Sequence, residues 1–391
     1  MGTGRPSKAE CLDGFSDAIG AVERLGPEAF PQRDVFEPSR RVTRSDADHV
    51  VDSRSDLLDA LSDHAPGAVI WVDGTIDVGD AEGLDLADVT LASGYGVPDR
   101  ATGTLWSSEK PQPLFQAHDD VRLTGLRLFG DEFEYFDPAD RFPGVDKPIY
   151  EVGASAAVYV RGDGVELDNL LLSGWTHAGI GIRRDGRGDM STHIHHVDAV
   201  DNPAESLGYG VAVREGRPLV ELSYFDNNRH SIAGSGRENC GYAVRFCVFG
   251  GYHTSHAIDM HGKHVDGYDL PIAGNRLEVY NNVVKLRRSY HDGRHRSAVK
   301  IRGRPTEGAE IVGNWFFNER SEVDNETSKS AVRQLHAPKR AYRKMRVADN
   351  VYGIDRSAER VDLTAEPDLS LADAPSGTAS RSLLGAVRSL L

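Results

Sequence analysis

Apolar residues in this chain recur in short alternating runs, with little helical spacing. The stretch "AVIWVDGTIDV" (68–78) alternates apolar and polar positions like a strand. "LDLADVTLASGYG" (84–96) and "DDVRLTGLRLFGD" (119–131) follow it as a second and third strand region. Helical spacing shows in two short places before them. One is around Leu12–Leu25, and the other is "SRSDLLDALSDH", where Ser55 is the expected cap of a helix carrying Leu57, Leu58 and Leu61. From residue 156 the pattern repeats: "AAVYVRGDG", "AGIGIRRDG", "YGVAVREGR", "RHSIAGSG", "SHAIDMHG" and "SAVKIRGRP". Between these runs lie segments ending in Asn and an apolar residue: "VELDNLLL", "LEVYNNVV", "AEIVGNWF" and "VADNVYG".

The runs are spaced roughly 22 to 31 residues apart with one wider gap, a period that belongs to solenoids and propellers. No four-strand blade motif recurs, which argues against a propeller. Very short strands, few helices and frequent Gly and Asn turns predict an all-β fold, a parallel β-helix. One coil cannot bury its own apolar face; stacked coils bury a continuous column. The recurring Asn residues are expected to hydrogen-bond up the corners. The expected organisation is a polar segment with a short helix over 1–50, the β-helix over 51–355, and a tail over 356–391. The closing "SRSLLGAVRSLL" is an amphipathic helix suited to cover the open end of the solenoid.

"LLDALSDHAPGAVIWVDGTIDV", "VTLASGYG" and "VRLTGLRLFG" resemble the pectate-lyase-like superfamily of right-handed parallel β-helices, in which a helical cap precedes a "GTI" strand. The resemblance spans roughly 52–355. It implies a right-handed coil with an N-terminal helical cap. The superfamily holds polysaccharide lyases, glycoside hydrolases, esterases, epimerases and non-enzymatic spikes, so the fold alone does not choose a function.

Side chains alternate along a strand, so the direction of each can be assigned. With Val158, Ile180, Val211, Ile232, Ile258 and Val299 aligned in the core, Val160, Ile182, Val213, Met260 and Ile301 also face inward. One outward column then reads Tyr159, Gly181, Ala212, Ala233, Asp259, Lys300. A second reads Arg161, Arg183, Arg214, Ser235, His261, Arg302. Stacked arginines repel, so the second column suggests an anionic partner. Pairing with the turn acids Asp163, Asp185 and Glu215 is the plainer alternative. His230 and His256 align two positions before the core residue. "NNRHSIAGSG" and "HTSHAIDMHG" thereby gather His230, His256, Asp259, His261, Lys300 and Arg302 in one patch, with Arg229 nearby. The longest departure from the repeat, "GKHVDGYDLPIAG" and "RRSYHDGRHR", would wall that patch with Tyr268, Tyr290, His291, Arg294 and His295.

Composition narrows the chemistry. The formal charge of −15 disfavours nucleic acid as partner, and no apolar run approaches a membrane span. The N-terminus lacks the apolar core of a signal peptide, so the expected location is inside the cell or outside it after loss of a leader. Cys11, Cys240 and Cys247 form no CxxC pair and read as buried thiols. The expected partner is an anionic polysaccharide or oligosaccharide, bound by Arg161, Arg183, Arg214, Arg229, Tyr268, Tyr290 and Arg294.

Four chemistries compete at the patch. β-Elimination would use Arg302 and Lys300 to neutralise a uronate, and His256 or His230 as base, with Asp259 orienting His261. Pectate-lyase relatives often use calcium held by acidic residues; no comparable acidic cluster occurs here, so no cofactor is expected. Glycoside hydrolysis needs a second carboxylate facing Asp259, which Asp266, Asp269 or Asp292 in the insertions could supply, and it ranks lower. A divalent metal on His256, Asp259 and His261 is the third option, although His256 has the opposite parity. A glycan-binding or structural solenoid is the fourth. "THIHHVDAVDN" adds His193, His195 and His196, which read as corner packing with His195 and His196 on opposite faces. "GSGRENCG" has no helix after it, so it is not read as a phosphate loop. The reading favoured by the basic patch is a polysaccharide lyase.

Overall fold

The structure, a computed structural model, describes residues 42–95, 102–107, 109–130, 153–184, 192–204, 206–250, 253–284, 294–316, 330–336 and 344–352. The helices expected near Leu12–Leu25 and at 380–391 lie outside the described residues, as do Cys11, Asp185, Tyr290, His291 and Asp292. No helix among the described residues is long and apolar enough to cross a membrane.

Three parallel sheets run the length of the coil, with eleven, ten and nine strands among the described residues. Each turn of chain visits the first, second and third sheet in that order. Ala68–Val72, Thr75–Asp77 and Leu84–Leu86 make one such circuit, and Val89–Ala92 returns to the first sheet beside Ala68–Val72. This is a parallel β-helix, with the right-handed crossover that strand twist imposes on nearly all parallel connections. It is the architecture that the resemblance to the pectate-lyase-like superfamily implies.

The strand register follows the side-chain alternation. In the third sheet Val158, Ile180, Val211, Ile232, Ile258 and Val299 stand in register and are buried. Val332 extends that column by one coil beyond the reach of the repeat reading. Burying a Val or Ile side chain contributes about 1.5–3 kcal/mol, so the inner columns are the main stabilising term. Cys240 and Cys247 are buried free thiols within this core.

One helix, Arg54–Ser62, precedes the first full circuit and turns Leu57 and Ala60 inward. Its cap is Ser53 and not Ser55. Ser53 has extended backbone, and its hydroxyl accepts from the Asp56 amide at 3.2 Å. Ser55 sits inside the first helical turn.

The recurring Asn residues occupy two distinct corner positions. The turn from the first sheet to the second needs one left-handed residue, filled by Gly125, Asn169, His196, Leu222, Phe246, Asn281, Gly313 and Asp349. Asn tolerates that conformation better than most side chains. The next position carries the ladder: Asn282 Nδ2 donates to Asn314 Oδ1 at 2.9 Å, and Asn314 Nδ2 donates to Asn350 Oδ1 at 2.9 Å. Asn202 and Asn228 form a second, shorter ladder.

Candidate active site on the third sheet

The strand Ile258–Met260 lies between His230–Gly234 and Val299–Ile301, with Asp259 in register with Ala233 on one side and Lys300 on the other. Asp259 points away from the core and is still 0% exposed. Arg302, 29% exposed at its side chain, clamps it: Nε donates to Oδ1 at 3.0 Å and Nη2 donates to Oδ2. Burial alone would raise the pKa of this carboxyl. Against burial, the Arg302 fork and its charge hold it well below the usual value.

The histidines have different surroundings. Tyr209, His230 and His256 form a ladder of parallel rings, with centroids 5.9 and 6.1 Å apart and interplanar angles of 7°. His230 is fully buried. Its Nδ1 donates to the His256 carbonyl at 2.6 Å, which leaves Nε2 as a lone pair facing Asp259 Oδ2 at 3.3 Å. Burial pushes its pKa well down. His256 is buried as well, and burial lowers it to about 3. Its Nδ1 lies 3.0 Å from the Ser297 amide nitrogen and 3.2 Å from the Ser297 carbonyl, and its Nε2 lies 3.1 Å from Lys300 Nζ. His261 reaches the same carboxylate oxygen as His230, also at 3.3 Å, with 35% of its side chain exposed.

These contacts redistribute the roles expected from the sequence. His230 and His256 are sealed from solvent, and burial pushes the pKa of each down. Lys300 is half-buried, and burial together with Arg302 lowers its pKa to about 8. Of the metal set expected on His256, Asp259 and His261, the structure brings Asp259 and His261 together. His256 spends its nitrogens on Ser297 and Lys300, and His230 completes the close triad instead. The two protonation patterns of His256 also match the two states of Lys300. With its proton on Nδ1, His256 donates to the Ser297 carbonyl and accepts from the Lys300 ammonium. With its proton on Nε2, it accepts the Ser297 amide and donates to a neutral Lys300 amine.

The arginine stripe is real but interrupted. A bulge between Ile182 and Arg183 sets Arg183 opposite Glu215, so Arg214 does not stack directly on it. The turn acids are taken by other partners: Arg184 pairs with Asp163 and Arg237 with Glu215. Arg183 lies over the Tyr159 ring at 3.9 Å from its centroid, with Arg161 at 5.7 Å. Gly181 makes room for this, since a Cβ there would meet Tyr159 Cδ1 at 2.6 Å. Arg229 donates to the Tyr209 hydroxyl at 3.3 Å. Tyr268 is 48% exposed on the excursion after the Asp259 strand, and Arg294 is exposed beyond it. Asp266 and Asp269 are exposed on the same excursion.

Two features escaped the sequence reading. Arg333 stands in register with Lys300 and extends the basic column. Its signal was available, because "SAVRQL" (330–335) repeats "SAVKIR" (297–302). The second is a closed charge network on the outer face of the first sheet. There His193 Nε2 meets Glu221 at 2.8 Å, His195 Nε2 meets Glu166 at 2.9 Å, Arg122 Nε bonds Asp168 at 2.8 Å, and Arg245 pairs with Glu221. His195 and His196 touch through their Nδ1 atoms at 2.9 Å, so they do not face apart as the alternation suggested. The left-handed turn at His196 breaks the strand parity.

The three-sheet coil is a parallel β-helix, and the patch lies on the outer face of its third sheet. No protein-family model and no curated protein matches the chain. Among solved structures, an alginate lyase from Paenibacillus sp. str. FPU-7 is similar at 13% identity and a TM-score of 0.47, over 79% of this chain and 100% of that one. A PL6 family alginate lyase is similar at 9% identity and a TM-score of 0.40, over 82% of this chain and 42% of that one. A pectin methylesterase from Aspergillus niger is similar at 13% identity and a TM-score of 0.37, over 85% and 95%.

Proposed function

We propose that the protein is a polysaccharide lyase that cleaves an acidic, uronate-containing polysaccharide by β-elimination on the outer face of the third sheet. The observation that carries this reading is Lys300. It is a half-buried amine with a pKa lowered to about 8, beside the Arg302 guanidinium and in register with Arg333. A neutral amine near physiological pH can take the proton α to the uronate carboxyl. Arg302 and Arg333 stabilise the negative charge that builds on that carboxyl as the proton leaves. The C4–O bond then breaks as the C4–C5 double bond forms, and the Lys300 ammonium returns its proton to the leaving oxygen. His256 keeps Lys300 in place in both protonation states without becoming charged.

Glycoside hydrolysis fits less well. Asp259 is fully buried and clamped by Arg302, so it presents no accessible oxygen to a sugar. The Arg183–Tyr159 and Arg229–Tyr209 pairs supply planar, cationic surface along the coils for a polyanionic chain. Incubating the full chain with a panel of polyuronates, while following the near-ultraviolet absorbance of the new double bond, tests the proposal. A rise on at least one polyuronate is expected. Reducing ends released without that absorbance would point to hydrolysis, and no release on any polyuronate would contradict the proposal.

A further inference from the structure

The geometry points to a zinc-type metal site, which we infer is formed by His230 Nε2, Asp259 Oδ2 and His261 Nε2. The inference does not rest on the lyase reading. Both histidine Nε2 atoms are buried and without a hydrogen-bond partner among the described residues, and both face the same carboxylate oxygen. His230 Nδ1 donates to the His256 carbonyl at 2.6 Å, which fixes the ring with Nε2 turned toward Asp259 and free of any protein hydrogen bond. Arg302 Nη2 already donates to this oxygen, and the two imidazole nitrogens that converge on it beside the guanidinium have no hydrogen-bond partner of their own.

The spacing fits a zinc cation. Zinc binds imidazole nitrogen and carboxylate oxygen at about 2.0–2.2 Å in tetrahedral geometry, which sets neighbouring ligand atoms about 3.3 Å apart. Both His–Asp distances here are 3.3 Å. The Glu166–His193–His195 group on the first sheet is a useful contrast. His195 meets Glu166 at 2.9 Å, and His193 turns to Glu221, outside the group, at 2.8 Å; both are lengths of a direct hydrogen bond. The surroundings of the third-sheet triad also match a metal centre. Ligating histidines usually donate their second N–H to a carbonyl, as His230 does, and the ligating carboxylate is itself held, here by Arg302. Two imidazoles and one oxygen suit zinc and exclude calcium, which takes six to eight oxygens.

The test is a Co²⁺ and Zn²⁺ titration of the full chain after chelator treatment and dialysis. The expected result is uptake of one ion per chain, intense visible Co²⁺ bands of tetrahedral type, and a higher unfolding midpoint with metal. His261→Ala should weaken binding about 100-fold or more, since it removes one of three protein ligands. Should that variant not fold, His261→Gln serves in its place. His118→Ala, at an exposed histidine paired with Asp85, should leave binding unchanged. A folded wild-type chain with no tetrahedral Co²⁺ spectrum would overturn the site. So would uptake that survives loss of the His261 imidazole. In either case the triad would be a hydrogen-bonded cluster only.

Discussion

The outer faces of the first and third sheets carry nearly the same residue types and differ in how they are satisfied. On the first sheet, His193, His195, Glu166, Glu221, Arg122, Asp168 and Arg245 close on one another. Each carboxylate has a cationic or imidazole partner, and the histidines are buried. On the third sheet, His230 and His261 leave unpartnered nitrogens, and Lys300, Arg302 and His261 reach the solvent edge. Counting titratable residues would rank the two faces together. Access to solvent, and the convergence of two unpartnered imidazole nitrogens on one carboxylate oxygen, separate the third-sheet patch from the closed network.

The largest expected effects come from opening each face. Glu221→Ala strands Arg245 and His193 in a buried setting, so chemical denaturation should show a loss of about 3–5 kcal/mol. Activity per folded molecule should stay the same. Lys300→Met should do the reverse, cutting kcat by about 10²–10⁴-fold while changing unfolding by under about 1 kcal/mol. Similar losses of stability in both variants would erase the distinction between the faces.

Asn314→Ala tests the frame at intermediate size. It removes the link between Asn282 and Asn350, and a buried polar group left unpaired costs about 1–3 kcal/mol, read as a lower denaturant midpoint. The pH dependence sharpens the site. In chelator-treated protein, kcat/KM should rise with pH through about 8, as Lys300 loses its proton. Because the folded pKa lies below the unfolded one, the burial penalty on charged Lys300 is full below about pH 8. It is relieved as pH rises toward the ordinary lysine value. A rate profile flat across that range would assign the proton transfer to another group. The smallest effect is expected at Arg183→Ala, which should weaken binding of a polyanionic substrate a few-fold, since a cation–π group near the surface contributes about 0.5–1 kcal/mol. Higher salt should diminish the difference.

Much of this was legible in the residues because strand parity has a period of two. Alternation alone placed Asp259 and Lys300 in one outward column and stacked His230 on His256. What it missed has physical causes. A single bulge after Ile182 displaced Arg214, and a bulge of one residue leaves no mark in the hydrophobic pattern. The left-handed turn at His196 reversed the expected relation to His195. Neither the sealing of Asp259 by Arg302 nor the capture of His256 by Ser297 and Lys300 follows from parity. Both depend on side-chain reach across coils, which decides whether a histidine is a base, a ligand or a rung.

The most direct test of the central claim is the elimination rate of Lys300→Met against wild type on the best polyuronate, followed by double-bond absorbance at equal concentrations of folded protein. Loss of two or more orders of magnitude in rate, with unchanged unfolding, is the predicted result. A rate within a few-fold of wild type would contradict the assignment of catalysis to the outer face of the third sheet around Lys300.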